Sequence, residues 1–373
     1  MNILIAPDKF KGSLTANKVC QAVREALLEI DSTLVISEAP LADGGEGTFE
    51  ILVANSDGNI KQISVLDPIQ RPIQSEYGLS KDKTTAFIEM AKASGLQLLK
   101  ETERNPLLTS TIGVGQLISN AFNEGVTNII LGIGGSATND AGIGMAHALG
   151  FRFLNNRNEI LNPIGQSLSE IYSIDDTQVD ARLHEVNFTV LCDVNNPLYG
   201  KDGAAYVYGP QKGATSEDVQ RLDQGLKHLA DLVKQTHHLD LNFPGAGAAG
   251  GLGAGATLFL KATLRKGIDY ICELTALEDK IRASDMIITG EGKLDEQTFS
   301  GKVVGHVLAL AHQHHKPVFI LCGQCTLTED ELKKFGVEKI ITLASHPSEW
   351  NVAIHQPLPL IKSRIKEAFL NLT

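Results

Sequence analysis

The sequence has few of the features that mark membrane-bound or secreted proteins. The nearest candidate for a membrane span, Gly245 to Leu260, is rich in glycine and alanine and ends at Lys261, short of the roughly 18 apolar residues that a span needs. The N-terminal apolar run is too short for a signal peptide. The five cysteines are an odd and sparse number, which favours a reducing compartment over a disulfide framework. We therefore expect a cytoplasmic protein with no membrane anchor.

Positive charge is also in short supply. Lys and Arg number 33 against 44 Asp and Glu, which gives a formal net charge of −11. Such a chain repels phosphate backbones at long range, so a general nucleic-acid binder is not expected, although a local basic pocket for a small anion is allowed. The pattern G-x-x-x-x-G-K-[ST] is missing, which excludes a P-loop nucleotide hydrolase.

The hydrophobic content of 43% is enough to form a core, and 373 residues suggest two or three domains. Apolar runs typical of strands alternate with amphipathic helical segments, which predicts an α/β fold with largely parallel sheets. We expect one domain with a parallel five-stranded sheet, and its strands are predicted near residues 1–7, 34–39, 285–289, 317–321 and 338–343. Helices are predicted at residues 16–30, 113–123, 142–149, 216–235, 302–315 and 359–370.

The pattern changes between Ile63 and Ala91, where short strands joined by turns indicate antiparallel pairing. We therefore expect the middle of the chain to be a second α/β domain with a mixed sheet, inserted into the first. The predicted domains are residues 1–65 with 280–373, and residues 66–279, with an active site in the cleft between them.

Several predicted strands lead directly into polar loops. Ligands of open α/β sheets bind at the carboxyl ends of strands, so these loops are candidate walls of a site. The alternative for each loop is a solvated turn or a capped helix. The loops are DKFKGS (8–13), LADGGEGT (41–48), GGSATND (134–140), VNNPLYG (194–200) and GKLDEQT (292–298).

Two glycine patterns allow more than one interpretation. Residues 132–137 match G-x-G-x-x-A after a strand, but the acidic residue that a dinucleotide fold places about 20 positions further on is missing, since Asn155 and Asn156 stand there. A glycine cradle for a phosphate or carboxylate fits better than an NAD site. Gly245, Gly247 and Gly250 match G-x-G-x-x-G without a preceding strand, so they predict either a tightly packed loop or contact with nucleotide phosphates.

Carboxylates without histidine or cysteine neighbours suit Mg²⁺ better than zinc. His312, His314 and His315 lie on a polar helix face, and we assign them a structural role. The single C-x-x-C at Cys322 and Cys325 has no second pair, so neither a zinc ribbon nor a redox motif is expected.

Taken together, these loops resemble the class I glycerate kinases, which include bacterial glycerate 2-kinases. The resemblance covers almost the whole chain in the family's order. Two positions depart from the family pattern, because Tyr208 replaces a frequent phenylalanine and Lys293 replaces a frequent arginine. The matching stretches are APDKFKGSLTA (6–16), PLADGGEGT (40–48), GIGGSATNDAGIGMAHALG (132–150), CDVNNPLYG (192–200), FPGAGAAGGLGAG (243–255) and ITGEGKLDEQTFSGKVVG (288–305).

The resemblance implies two α/β domains, one flavodoxin-like and discontinuous, the other restriction-enzyme-like. It also implies an ATP-dependent kinase that uses Mg²⁺ and D-glycerate and forms 2-phosphoglycerate. The expected partners are these small molecules alone, and the enzyme is expected to be a monomer or homodimer. The sequence itself does not distinguish the 2-hydroxyl from the 3-hydroxyl.

Phosphoryl transfer to a small acid requires a basic anchor, a metal site, phosphate donors and a base. The candidates for these roles are hypotheses at this stage. The predicted catalytic residues are Asp295 as the base, Asp8 as second choice, and Lys9 and Lys293. The predicted substrate-binding residues are Lys11, Ser13, Asp43, Glu46, Ser136 and Asn139. The predicted nucleotide-binding residues are Gly134, Gly135, Gly245, Gly247, Gly250 and Gly251, and the predicted metal ligands are Asp193 and Asp43.

Three alternatives to this function stay open. A Rossmann oxidoreductase would bind NAD(P)H. A non-catalytic glycerate sensor would be stabilised by the ligand without producing ADP. A kinase for a related small hydroxy acid differs least from the main hypothesis, because one hydroxymethyl group changes only a few contacts.

Overall fold

The computed structural model describes residues 1–42, 44–45, 47–299, 303–328, 332–333, 335–344, 346 and 349–370. The strands are β1 (Asn2–Ile5), β2 (Val35–Glu38), β3 (Asn59–Leu66), β4 (Pro72–Leu79), β5 (Thr85–Glu89), β6 (Asn128–Gly132), β7 (Arg152–Leu154), β8 (Ser173–Asp175), β9 (Asn187–Leu191), β10 (Thr263–Arg265), β11 (Met286–Leu294), β12 (Val318–Cys325) and β13 (Val337–Thr342). The α-helices are α1 (Ala16–Ile30), α2 (Thr48–Asn55), α3 (Ala91–Ser94), α4 (Ile112–Asn123), α5 (Ile143–Ala148), α6 (Ala204–Tyr208), α7 (Ser216–His237), α8 (Ala248–Leu260), α9 (Gly267–Leu274), α10 (Leu277–Ala283), α11 (Val303–Gln313), α12 (Trp350–His355) and α13 (Pro357–Leu370).

The chain forms two compact units. Unit 1 comprises Met1–Asp43 and Ile268–Thr373, and unit 2 comprises Gly44–Gly267. Both boundaries between the units therefore lie earlier in the chain than the boundaries predicted near residues 65 and 280. The first difference arises because β3 pairs with β4 along its length and so belongs to the sheet of unit 2. The predicted cleft between the domains stays a prediction.

The sheet of unit 1 has five parallel strands in the order β2-β1-β11-β12-β13. This is the flavodoxin-like order, and it confirms the predicted fold class. Helix α1 forms because Thr15 caps its first turn and because its apolar residues recur on one face, which is buried against the sheet. The core of unit 1 includes Val19, Val23, Leu27, Ile288 and Phe319.

The sheet of unit 2 has six strands in the order β10-β9-β6-β5-β4-β3. Strands β3, β4 and β5 pair antiparallel, whereas β5, β6, β9 and β10 pair parallel. The mixed sheet was predicted, including its antiparallel part. The central strands β5 and β6 are continuous apolar runs, and successive residues of both strands are buried, as is typical of parallel strands covered on both faces.

Two elements differ from the sequence-based expectation. Strand β11 continues to Leu294 instead of ending near Thr289, because its last residues pair with Gln324 and Cys325 of β12. Helix α8 occupies a stretch that was interpreted as a loop, and left-handed residues from Ala249 to Gly251 interrupt its first turn. In the part of the chain that the structure describes, no helix is long and apolar enough to cross a membrane.

Candidate active-site residues

The carboxyl ends of β1 and β11 lie side by side in the sheet of unit 1. The chain leaves β1 towards β2 on one side and leaves β11 towards β12 on the other. Such a reversal opens a crevice where doubly wound folds bind ligands. We use the name switch-point cluster for the polar residues at this position, namely Asp8, Lys9, Lys11, Glu291, Lys293 and Asp295.

The loop after β1 is a tight turn that continues the sheet. The N–H of Asp8 donates to the carbonyl of Gly290 at 2.8 Å, and the Asp8 carboxylate accepts from the N–H of Lys9 at 2.6 Å. Phe10 and Leu14 form an antiparallel bridge, so Lys11 is exposed at the tip of the turn. The sequence therefore brings one buried carboxylate and two lysines to the end of a single strand.

The end of β11 and the turn after it carry a chain of hydrogen bonds. Thr298 Oγ1 donates to the buried Glu291 carboxylate at 2.6 Å and accepts from the N–H of Asp295 at 3.1 Å. The Lys293 ammonium lies 3.2 Å from the Asp295 carboxylate. Two of the predicted catalytic residues are thus paired with each other, and Thr298 fixes the backbone that carries them.

Ser13 lies next to these residues along the chain, but its hydroxyl has another partner. Its Oγ donates to the carbonyl of Ile354 at 2.7 Å. The hydroxyl proton is therefore engaged in the structure, and the substrate-orienting role of Ser13 stays a prediction.

Unit 2 presents a second group of polar residues where β6 ends. The loop that follows β6 contains Gly134, Gly135 and Ser136, and none of their three N–H groups donates to a backbone carbonyl of the described residues. Consecutive free N–H groups form a concavity that attracts anions. Gly134 and Gly135 are exposed. We use the name glycine cradle for residues 134–136.

A buried lysine lies behind the glycine cradle. Lys212 is 1% exposed, and its Nζ donates to Ser136 Oγ and to the carbonyl of Thr138, each at 2.7 Å. Burial lowers the pKa of the Lys212 ammonium to about 7, and the charge of Asp140 opposes this shift. A positive group at this depth adds to the attraction of the cradle for an anion.

Asp140 holds the loop in place from the other side. Its carboxylate accepts from the N–H and the Oγ1 of Thr111, both at 2.8 Å, and from the N–H groups of Gly142 and Gly144. Burial raises the pKa of Asp140, and these hydrogen bonds oppose the rise. Because the donors lie at the starts of α4 and α5, Asp140 joins two helices to the cradle loop.

Asn139 is fully buried, and neither polar atom of its side chain has a hydrogen-bond partner among the described residues. The same is true of Thr138 Oγ1. Unpaired buried polar groups are costly and are concentrated at functional sites. Asn139 was predicted to bind substrate, and this role stays a prediction.

Carboxylates flank the cradle on the neighbouring strands. Glu89 ends β5, and Asp193 follows β9, so the two residues lie on either side of β6 in the sheet. Asp193 Oδ1 accepts from the N–H of Gly267 at 2.9 Å. Gly44 has a φ of +95°, which L side chains rarely adopt, and a Cβ there would lie 2.1 Å from Asp193 Oδ2 and 3.1 Å from Gly267 Cα, so a larger residue is disfavoured. Glu89, Gly44 and Gly134 line a common small cavity of unit 2.

The glycines of the second pattern pack against backbone. A Cβ at Gly250 would lie 2.0 Å from the Thr138 carbonyl oxygen, and one at Gly247 would lie 2.1 Å from the Pro197 carbonyl oxygen. Gly251 packs against Ala141 in the same way, and Gly245 approaches Leu264. This close packing supports the tight-loop interpretation, and the nucleotide-binding role of these glycines stays a prediction.

Residues 3–372 match the family model of the glycerate kinase family. The chain belongs to the glycerate kinase family. It is 44% identical over 349 residues to a glycerate kinase of Bacillus cereus, covering 93% of this chain and 92% of that protein. It is 41% identical over 344 residues to the glycerate 2-kinase of Escherichia coli K12, covering 92% and 90%.

A solved structure extends this agreement to three dimensions. The chain matches a crystal structure described as a glycerate kinase 2 from Salmonella typhimurium LT2 with a TM-score of 0.89 and 39% identity, covering 100% of this chain and 98% of that chain. The family membership and the kinase class predicted from the sequence are therefore confirmed.

The carboxylates present fit a magnesium ion that is bound as in other kinases. Mg²⁺ in kinases is held by one or two carboxylates together with phosphates and water, so a dense cluster of protein ligands is not required. Among the described residues, no group of three His, Cys, Asp or Glu side chains forms a metal site. Asp193 and Glu89 offer oxygen ligands beside the cradle, whereas Asp43 and Glu46, which were also predicted, lie outside the described residues.

The structural role of the histidines and the expected lack of a zinc or redox role for the cysteines stay predictions. His314 Nε2 lies 3.0 Å from the Glu278 carboxylate on the neighbouring helix. Cys322 and Cys325 are free thiols on β12, and a hydrogen bond between their side chains, together with burial, raises the pKa of Cys322.

Sequence reasoning missed two residues of the unit 2 site. Glu89 follows the apolar run of β5 and carries the same strand-end signal as the loops that were selected, so it was detectable. Lys212 lies between a proline turn and Gly213, and nothing in that pattern indicates that its ammonium is buried.

Proposed function

We propose that this chain transfers the γ-phosphoryl group of ATP to the 2-hydroxyl of D-glycerate, with Mg²⁺ as cofactor. The observation that carries the proposal is the glycine cradle, in which three backbone N–H groups donate to no backbone carbonyl of the described residues and the Ser136 hydroxyl accepts a hydrogen bond from the buried Lys212. In a chain of the glycerate kinase family, an anion site of this kind is best explained by the phosphates of a nucleotide.

The glycine cradle is proposed to bind the phosphates through the N–H groups of Gly134, Gly135 and Ser136. Gly247, Gly250 and Gly251 support the cradle by packing against the loops beside it. A direct contact of Gly245 with phosphate stays part of the proposal. Fixed N–H donors need no reorganisation during the reaction, which is the main source of catalysis in phosphoryl transfer.

The switch-point cluster is proposed to act on the acceptor. Lys9 and Lys11 supply positive charge for the carboxylate of D-glycerate. Asp295 is the proposed base for the hydroxyl proton, held by the hydrogen bond from its N–H to Thr298 and paired with Lys293. Asp8 is the second candidate for the base, since it follows the neighbouring strand β1 and its N–H donates to the Gly290 carbonyl of β11.

Asp193 is the proposed magnesium ligand, with Glu89 as a second carboxylate and Asp43 as a further candidate. When bound, Mg²⁺ would neutralise charge on the phosphates and help to orient them. The Gly267 N–H donates to Asp193 Oδ1 at 2.9 Å and so helps to orient the carboxylate.

A coupled assay of ADP release with ATP, Mg²⁺ and D-glycerate tests the proposal, followed by phosphorus NMR of the product. L-glycerate and tartronate serve as control acceptors. ADP release that depends on D-glycerate, with a 2-phosphate signal, is the expected result. Release of ADP with tartronate alone would indicate a kinase for a related hydroxy acid.

The sensor alternative makes a different prediction for the same sample. A raised melting temperature with D-glycerate and no ADP would overturn the proposal in favour of a binding protein. Omission of Mg²⁺ should abolish turnover, because the phosphate charge is then not neutralised.

We also propose that the enzyme works in the cytoplasm as a monomer or homodimer and that its partners are its small-molecule substrates. Light scattering on the purified protein measures the oligomeric state. A larger assembly would overturn this part of the proposal.

A further inference from the structure

Lys212 is a buried lysine to which the proposed reaction assigns no contact with either substrate. It lies in the turn Pro210–Lys212 and is 1% exposed. Burial of an ammonium is costly unless hydrogen bonds compensate for lost water. Its two hydrogen bonds both go to the cradle loop, to Ser136 Oγ and to the Thr138 carbonyl. The hydrogen bonds that compensate for the burial of Lys212 therefore also hold the loop that follows β6.

The Lys212 ammonium determines what the Ser136 hydroxyl can do. An ammonium group donates hydrogen bonds and cannot accept them. Ser136 Oγ is thus an acceptor on the side of Lys212, and its own proton must point elsewhere. Among the described residues, Ser136 Oγ donates to no other group. The hydroxyl is left as a donor next to the free N–H groups of the cradle.

Contacts from a second segment fix the orientation of the loop. The N–H of Leu96 donates to the carbonyl of Gly135, and the N–H of Ala137 donates to the carbonyl of Ser94, both at 2.9 Å. These bonds hold the carbonyl of Gly135 away from the cradle. The N–H groups of residues 134–136 and the Ser136 hydroxyl consequently form one set of donors.

We propose that Lys212 is a positioning residue that keeps the Ser136 hydroxyl and the adjoining N–H groups as donors towards an anionic group of the substrates, a phosphate or a carboxylate. The inference rests on the proposed function, since it assumes that the cradle binds a substrate of the kinase. Lys212 does not itself touch the anion and acts through Ser136.

A dependence on pH follows from the same geometry. When Lys212 loses its proton, its amine can accept a hydrogen bond, and the Ser136 hydroxyl can turn inward. Burial lowers the pKa of Lys212 to about 7, and Asp140 is the charged group that acts against this shift. The value of kcat/KM for the anionic substrate should therefore fall as the pH rises through about 7.

The test combines Lys212→Met, Ser136→Ala and the double variant, with Lys227→Met as control because Lys227 is an exposed lysine of the same unit. KM is measured separately for ATP and for D-glycerate between pH 6 and 9. Each single variant should raise the same KM by about tenfold, as expected for one lost hydrogen bond to a charged group. The double variant should be no worse than the poorer single variant, because both remove one donor.

The arms of this experiment identify the anion. A rise in KM for ATP identifies a nucleotide phosphate, and a rise in KM for D-glycerate identifies its carboxylate. Lys212→Met should also flatten the pH profile, and Ser136→Thr should restore the lost affinity. An unchanged KM for both substrates, or losses that multiply in the double variant, would overturn the proposal.

Further measurements decide the question if a variant does not fold or if the wild type is inactive with D-glycerate. If Lys212→Met does not fold, the wild-type pH profile and the Ser136→Ala and Ser136→Thr pair decide the question. If the wild type does not phosphorylate D-glycerate, calorimetry with inorganic phosphate and with ADP tests the cradle itself. Binding that weakens in Ser136→Ala supports the inference even when the proposed function fails, and binding that is equal in both proteins contradicts it.

Discussion

The two candidate clusters are built from different kinds of donor. In unit 1, the switch-point cluster consists of side chains at the end of β11 and in the turns that follow β1 and β11, and the Lys293 side chain is 56% exposed. In unit 2, the glycine cradle consists of backbone N–H groups backed by Lys212, which is 1% exposed. Long exposed side chains adapt to a ligand at an entropic cost, whereas backbone donors are already ordered.

The difference suggests a division of labour. A rigid set of N–H groups suits the phosphates, whose charge must be stabilised without reorganisation. A cluster of carboxylates and lysines suits the acceptor, which needs a proton removed and a carboxylate bound. Variants in unit 1 should therefore change turnover or acceptor binding, and variants in unit 2 should change stability or phosphate binding.

The largest expected effect is on turnover. Asp295→Asn removes the proposed base and should lower kcat by at least about 100-fold, or roughly 2.7 kcal/mol of barrier. Steady-state ADP release measures it. Glu296→Gln, an exposed neighbour, is the matched control and should keep normal turnover. Near-normal kcat in Asp295→Asn would transfer the role to Asp8.

The next effect distinguishes the glycines of the two units. Gly250→Ala places a Cβ against the Thr138 carbonyl and should lower the free energy of unfolding by about 2 kcal/mol. Gly12 also has a positive φ, but open space surrounds its missing Cβ, so Gly12→Ala should lose only about 1 kcal/mol. Denaturant unfolding measures both. Equal losses of unfolding free energy in the two variants would show that close packing at Gly250 does not exclude a Cβ.

The third effect is a pH dependence of stability. The folded state lowers the pKa of Lys212 to about 7, below the unfolded value of 10.5, so the unfolded chain binds more protons between these values. Stability should therefore rise with pH across this window, by up to about 1.4 kcal/mol per pH unit. Urea unfolding between pH 7 and 10 should show this contribution in the wild type and its loss in Lys212→Met. Parallel curves for the two proteins would rule out a depressed pKa.

The smallest effect concerns acceptor binding by an exposed lysine. Lys11→Met should raise KM for D-glycerate by about fivefold or less, because water screens a charge at the tip of a turn. The increase should shrink at high salt. Lys18→Met on the exposed face of α1 is the control. A larger and salt-independent effect would mean that Lys11 is desolvated when substrate binds.

Much of the fold could be predicted because its signals are local. Short apolar runs such as β1 and β12, each followed by an amphipathic helix, predict parallel strands directly. Helix α8 escaped prediction because its glycines have low helix propensity and because its glycines and alanines show no amphipathic face. It forms because the missing side chains let it pack directly on the backbone of the cradle loop, a contact between distant parts of the chain.

The site was predictable in part for the same reason. Strand-end loops pointed to Asp8, Ser136, Asp193 and Asp295. The burial of Lys212 could not be predicted, since lysine is mostly exposed and only tertiary packing encloses its ammonium. Sequence patterns also do not show that the N–H groups of residues 134–136 donate to no backbone carbonyl of the described residues, because this depends on tertiary structure.

Calorimetric binding of ADP to Ser136→Ala and Asp295→Asn tests the division of labour most directly. The account predicts that ADP binds about tenfold more weakly to Ser136→Ala and with wild-type affinity to Asp295→Asn. Weaker binding to Asp295→Asn together with unchanged binding to Ser136→Ala would contradict it, because the phosphates would then be held by the switch-point cluster of unit 1.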